Sequence, residues 1–319
     1  MSSFTNKNNA KNTYLIGTIF LLGSAVLTSI TQVLNANKVQ AFSPFAFTFI
    51  SFLFTALFFI IVSIKKKGNT RKLDSASKKD YLYLNLYTAL AFMCFFYALK
   101  YVEPAIVSAI EIGIGPVFAL LLAKAAAPGM KTLKSDSTVA WGTLASSLLL
   151  VWATLTGRSG LHFVLSGEFI LGLSASLLCG VGAVLAAQYS KKLSMKGWES
   201  SHILAHRFYF IIIASLCLAI LEGHLISQLS THFLWIVLLS FLGVLLPLYM
   251  LQVGIKYCDT FFVMVTIAFV PIFTFIFQLL DPRIGWSTTT LIGILNLTLF
   301  ALLGVYLKNR RLMDTSNIT

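Results

Sequence analysis

The sequence predicts an all-α polytopic membrane protein. Ten transmembrane helices are expected as two inverted five-helix repeats, with both termini cytoplasmic. Three observations predict this. Apolar runs of spanning length recur along the whole chain, basic residues crowd the connectors on one side, and the two halves resemble each other.

The 319 residues are 57% hydrophobic and only 11% charged, with a mean hydropathy of +0.84. An ordinary soluble domain is about 25% charged. Runs of about 18 to 24 apolar residues can each cross a hydrocarbon layer about 30 Å thick. They lack the period-two alternation of a barrel strand, so they read as helices, the other fold that pairs every backbone group in lipid. The expected spans are Tyr14–Leu34, Pro44–Ile64, Leu82–Leu99, Pro104–Ala123 and Val139–Thr156, then Gly167–Tyr189, Glu199–Leu221, Phe233–Val253, Cys258–Leu280 and Ser287–Leu307. Residues 1–13 and 308–319 read as polar tails. The first apolar run is too long for a signal-peptide core and reads as a retained span.

The net charge of +13 does not read as a nucleic-acid footprint, because the basic residues lie in short connectors and not on amphipathic segments. With the N-terminus inside, nineteen of the 24 basic residues fall in cytoplasmic segments, seven of them in "KKKGNTRKLDSASKK". Lys38, Lys100, Arg158 and Arg283 fall outside, and Arg207 lies within a span. By the positive-inside rule this places both termini in the cytoplasm. Trp141, Trp152, Trp198, Trp235 and Trp286 sit near span ends, where headgroups anchor them. Cys94, Cys179, Cys217 and Cys258 lie inside apolar runs without CxxC spacing, so neither a disulfide framework nor a metal site is expected.

The repeat shows best where "ALKYVEPAIVSAIEIGIGPVFALLLA" (98–123) meets "GIKYCDTFFVMVTIAFVPIFTFIFQL" (254–279). Lys100, Tyr101, Glu103 and Pro116 answer to Lys256, Tyr257, Asp259 and Pro271, at an offset of 156 that slips to 155. Gly17 answers to Gly172 and Gln32 to Gln188. Halves of five helices enter the membrane from opposite sides, dividing the chain at 14–156 and 157–307. Such inverted repeats serve alternating access around a midplane site, which points to a carrier.

These features resemble the EamA-type carriers of the drug/metabolite transporter superfamily. The resemblance rests on five plus five spans, the "AL-Y" or "GIKY" turn into a small-residue helix with "PVF" or "PIF", and an Arg early in the second helix of a repeat. It implies a central cavity and export, less often import, of amino acids or other small metabolites. The family's Arg is kept as Arg207, while its twin position in the first half is Ser51.

An ionisable group at the bilayer centre costs about 2.5 to 3.5 kcal/mol on insertion scales, so it is expected to face the bundle interior. Glu111 and Arg207 are the two such residues, each about 12 Å into its span. Their twin positions are Thr266 and Ser51. The expectation is that Glu111 and Arg207 share one cavity, pairing when it is empty or holding opposite ends of a zwitterion; a static ion pair is the structural alternative. Ala105, Ala109 and Gly113, and Gly172, Ser176 and Gly180, form small-residue packing ridges. Glu111 points away from the first, alongside Ser108. His202 and His206 share a helix face; His202 reads as interfacial, and His206 stays open between a buried hydrogen-bonder and a proton relay. Tyr97, Phe92, Phe95 and Tyr249 are candidate cavity walls. Gln252, Gln278, Asn85 and Asn296 read as interhelical glue or ligands. Pro116, Pro247 and Pro271 are candidate hinges. Glu103, Glu168, Glu222 and Asp281, at outer span ends, read as solvated.

The function expected is secondary active transport of a small polar metabolite, an amino acid or related zwitterion, across the inner (plasma) membrane, with H+ as coupling ion and export as direction. Uptake or exchange of a larger zwitterion, such as a nucleoside-derived metabolite or metal chelator, is the alternative carrier. An embedded enzyme lacks any catalytic cluster in this sequence, and a channel lacks a filter-like segment or a charged ring. No cofactor is expected, and monomer and homodimer stay open.

Overall fold

The computed structural model describes residues 2–38, 43–65, 74–126, 133–161, 166–223, 225–258, 263 and 266–316. Among them the regular elements are helical: α1 (Ser2–Lys38), α2 (Pro44–Lys65), α3 (Ser75–Tyr101), α4 (Pro104–Ala126), α5 (Lys134–Leu155), α6 (Gly167–Met195), α7 (Ser200–Ala205), α8 (Tyr209–Leu221), α9 (Leu225–Ser240), α10 (Leu246–Tyr257), α11 (Val270–Gln278) and α12 (Thr288–Ser316). Nine helical stretches among the described residues are long and apolar enough to span a bilayer; α7 with α8 make one, and the end of α9 with the start of α10 another. The expected ninth span, Cys258–Leu280, is represented by the shorter apolar helix Thr266–Gln278. Residues 259–262, 264 and 265 lie outside the described set, and with them Asp259; so does the side chain of Lys256.

The eighth span departs from regular α-helix. Between α9 and α10 a π-helical turn runs Phe241–Leu245, and the Leu246 N–H donates to the Phe241 carbonyl five residues back. Pro247 follows directly. Its missing N–H and its ring, which crowds the carbonyl four residues before it, favour this widening. The Pro247 carbonyl accepts the Ser24 hydroxyl of α1 at 2.9 Å. Pro271 likewise sits in the first turn of α11, and the neighbouring Val270 carbonyl accepts from Ser29 Oγ at 3.2 Å. Pro116 lies inside α4.

The helix contacts come in matched sets. α3 lies along α6, and α10 along α1; α4 crosses α6, and α11 crosses α1; α2 meets α9, and α8 meets α3. Advancing each span by five places turns the first contact of each set into the second. The match reaches single residues. A methyl group on Gly172 would lie 2.8 Å from Cβ of Tyr101, and one on Gly17 would lie 2.8 Å from Cβ of Tyr257. Those four residues are two twin pairs of the sequence repeat. Small residues at both crossings let the helices touch backbone to side chain. The ridge on α4 packs as its spacing predicts, with Gly113 against Ser147 and Leu297, and Gly180 on α6 packs against Ile114 and the Glu111 backbone.

The basic face is tied by Asp80 of α3, whose carboxylate bridges Lys192 at 2.7 Å and Lys196 at 2.6 Å. Trp198, expected among the headgroups, is instead 7% exposed. It packs on Tyr81 and His202 and donates its indole N–H to Ser77 at 3.2 Å. The short loop between α6 and α7, turned by Gly197 at φ 84°, folds it back under α3. Trp141, Trp152, Trp235 and Trp286 are exposed.

Gly172→Leu and Gly17→Leu are expected to destabilise the fold comparably, each by about 1–3 kcal/mol as overpacking does. Thermal unfolding of the purified variants measures this, and a large effect at one position with none at the other would contradict the matched packing.

Candidate functional site

The seventh span breaks where its polar residues lie. α7 ends at Ala205, α8 begins at Tyr209, and His206, Arg207 and Phe208 between them are non-helical. Phe208 and His206 have ψ near zero, 3° and 10°, so the amide ladder is interrupted. In hydrocarbon the freed backbone groups need protein partners. Asn85 of α3 supplies both: its Nδ2 donates to the His206 carbonyl at 2.8 Å, and its Oδ1 accepts from the Phe210 N–H at 3.3 Å. One turn along α3, Thr88 Oγ1 accepts from Arg207 Nε at 3.3 Å and Nη2 at 3.2 Å. Phe208 is fully buried and packs on Phe52 of α2, which pins the break from the other side. Composition alone does not reveal this break, because the run stays apolar through it.

The second span at the same level is unbroken. There Ser51, fully buried, meets Ser240 Oγ at 2.7 Å. Hydroxyls short enough to bond a neighbouring helix replace the guanidinium, so the two sides of the centre differ in charge.

Glu111 lies where α4 meets α6, its backbone against Gly180 and its carboxyl near the Cys179 thiol. Among the described residues no ion pair joins it to Arg207. Cys179 interacts with Cys94 of α3, six residues past Thr88. Six residues turn a helix by about 240°. Glu111 and Arg207 therefore flank different faces of α3.

The other expected site residues are distributed around these two. Ser108 of α4 donates to Gln32 Oε1 of α1 at 2.5 Å, and Thr274 of α11 donates to the same oxygen at 3.1 Å. His206 Nδ1 hydrogen-bonds the Tyr209 hydroxyl, and His202 Nδ1 meets the Tyr81 hydroxyl at 2.9 Å. The two imidazoles lie 4.3 Å apart, centroid to centroid. Tyr97 stacks on Phe45 and meets Tyr101; Thr266 is buried. Phe92 packs on Phe52, Phe95 on Phe96, and Tyr249 on Phe20 and Phe58. Asn85 and Gln278 bond across helices, Asn296 is exposed, and the side chain of Gln252 lies outside the described set. A groove of about 630 Å³ at the ends of α5 and α12, lined by Lys134, Trp141 and Phe300 among others, takes in none of these residues.

Two carboxylates expected in water are buried. Glu103 is 1% exposed and Asp281 5%, whereas Glu168 and Glu222 are exposed. Burial pushes the Glu103 carboxyl above the ordinary range and outweighs the hydrogen bonds from Gly160, Gln278 and Thr290 that lower it. For Asp281 burial acts the same way, but Arg283, at 2.6 Å, and Asn37 outweigh it and hold the carboxyl below its ordinary value. Position at a span end predicted hydration, and the loops that fold over these ends remove it.

Residues 15–128 match the model of the EamA-like transporter family. The matched segment is less than half of the chain. It holds α2, α3 and α4, and so Asn85, Thr88, Glu103 and Glu111. The crystal structure of another protein shares the fold, with a TM-score of 0.58 at 19% identity, over 94% of this chain and 97% of its own. A comparison with curated proteins gives no match.

Asn85→Leu leaves the His206 carbonyl and the Phe210 N–H unpaired, at about 1–3 kcal/mol for each buried group. A clear fall in thermal stability is expected, with Asn85→Asp losing less; melting of Asn85→Leu at the wild-type temperature would show that the break does not depend on this side chain.

Proposed function

We propose that the protein is a secondary active carrier that moves a small polar metabolite, an amino acid or related zwitterion, across the inner (plasma) membrane by alternating access. Residues 14–156 and 157–307 act as its two inverted halves, with the basic face and both termini in the cytoplasm, and transport is proton-coupled export. The EamA-like segment supports the transporter class, and the matched packing supports two exchangeable halves.

The observation that carries the site is Arg207. Its guanidinium sits at a break within a span, and the acceptor it meets among the described residues is one hydroxyl, Thr88 Oγ1. Five donors in a fixed fork suit a carboxylate or phosphate, and among the described residues no carboxylate pairs with Arg207. The carboxylate of an amino acid fits the vacant donors. Glu111, on another face of α3, meets the cationic end of the substrate or exchanges the coupling proton without pairing to Arg207. Pro116, Pro247 and Pro271 are the hinges, Pro247 following the π-helical turn and Pro271 beginning α11.

Metabolites inside and outside cells with and without the protein identify the substrate. A hydrogen bond to a charged group is worth about 1.5–3 kcal/mol, so Arg207→Gln is expected to cut export at limiting substrate by about ten- to a hundredfold. Arg207→Lys should retain a part of it. Wild-type export by Arg207→Gln would remove Arg207 from the site.

A further inference from the structure

At the end of the bundle where α4 begins, Glu103 is buried at a junction of four segments. Oε1 accepts from Gln278 Nε2 of α11, and Oε2 accepts from the Gly160 N–H at 2.8 Å and meets Thr290 Oγ1 of α12 at 3.3 Å. Gln278 Oε1 in turn accepts the N–H of Ala105, an orphan donor in the first turn of α4, at 3.1 Å. The loop behind is equally close: the Gly285 N–H donates to the Gly160 carbonyl at 2.7 Å, and a methyl on Gly160 would lie 2.3 Å from the Gly285 carbonyl oxygen. One turn deeper, Ser108, Gln32 and Thr274 repeat the pattern between α4, α1 and α11. This polar seam joins the first half to the second across one face, with a carboxyl at its centre.

Among the described residues the partners of that carboxyl, Gly160, Gln278 and Thr290, are uncharged. The charged groups on the surrounding segments are engaged elsewhere. Asp281 and Arg283, after α11, pair with each other and with Asn37 and the Ala36 carbonyl of α1. Arg158, in the Gly160 loop, lies over the Trp152 ring, and Lys100, at the end of α3, lies over Tyr101. Glu168, at the start of α6, is exposed. α12 offers hydroxyls at this end, Ser287 and Thr290. Among the described residues a carboxylate sealed here has three neutral donors and no cation, which is poor compensation for lost hydration.

We propose that Glu103 is a proton-binding site that controls closure of this face: the seam closes over the neutral acid and opens when the acid gives up its proton. As the acid, Glu103 donates its O–H to Thr290 Oγ1, whose hydroxyl rotates to accept, and still accepts from Gln278 and Gly160. As the carboxylate it draws water, and hydration requires the seam to part. Because burial binds the proton more tightly in the closed state than in the hydrated one, falling pH favours closure and rising pH favours opening. A proton taken up at this face is then a condition for closing it, which is the coupling a proton-driven carrier needs. The inference deepens the carrier reading and rests on it for that last step alone.

Ile284, buried beside Gly160 in the seam, is the reporter. Ile284→Cys in the full chain, in nanodiscs that expose both faces, is labelled with a membrane-impermeant maleimide from pH 5.5 to 8.5. The chain without the substitution sets the background. The same reporter in Glu103→Gln, a mimic of the neutral acid, cancels the thiol's own pH dependence. The wild-type rate is expected to equal that of Glu103→Gln at pH 5.5 and to exceed it at pH 8.5, by about tenfold for each unit of pKa difference between closed and open states. A ratio that stays constant across the range overturns the proposal. A pH-dependent ratio in a protein that moves no metabolite would sink the carrier reading and leave the proton site standing. Metabolite flux with a constant ratio would do the reverse.

Discussion

A helix can break inside hydrocarbon only where the protein itself takes up the freed backbone groups. Asn85 meets that demand for the seventh span with a single side chain, one end on the His206 carbonyl and the other on the Phe210 N–H. The rest of the centre is arranged around this fixture. It fixes α3 against α8 and brings Thr88 to Arg207, while a neighbouring face of α3 lies along α6, which carries Cys179 to Glu111. A guanidinium at an irregular backbone and a carboxyl on a regular helix are thereby held apart by one helix, not joined as a pair.

The two halves use one packing plan with different chemistry. Glycine against tyrosine at Gly172–Tyr101 and Gly17–Tyr257 sets the same close crossing twice. Where the seventh span breaks around Arg207, the second span passes unbroken with Ser51 on Ser240. Where the third span is regular α-helix, the eighth widens through Phe241–Leu245 ahead of Pro247. The packing is matched at these crossings, and the polar residues are not.

The sequence made the spans legible, because lipid-spanning length and apolar composition are one-dimensional properties. The repeat was legible too: Gly17, Tyr101, Gly172 and Tyr257 were matched as letters and meet as surfaces. Burial at span ends was not legible. Glu103, Asp281 and Trp198 look hydrated or interfacial by position, and become buried through loop closures involving residues 57, 244 and more positions away, or a turn at Gly197. The break at Arg207 was invisible for another reason. Hydropathy reports which residues enter the membrane, whereas a broken ladder depends on a partner amide 121 residues earlier.

A carrier with two exchanging halves exposes its site to one side at a time, so substrate on one side must speed the return of the empty site from the other. Counterflow measures that directly. Wild-type protein in liposomes preloaded with an unlabelled amino acid mixture is offered each radiolabelled amino acid outside. The carrier predicts saturable uptake, accelerated when the same compound is inside. Flux that rises linearly with concentration and ignores the internal pool would contradict alternating access and indicate an open pathway.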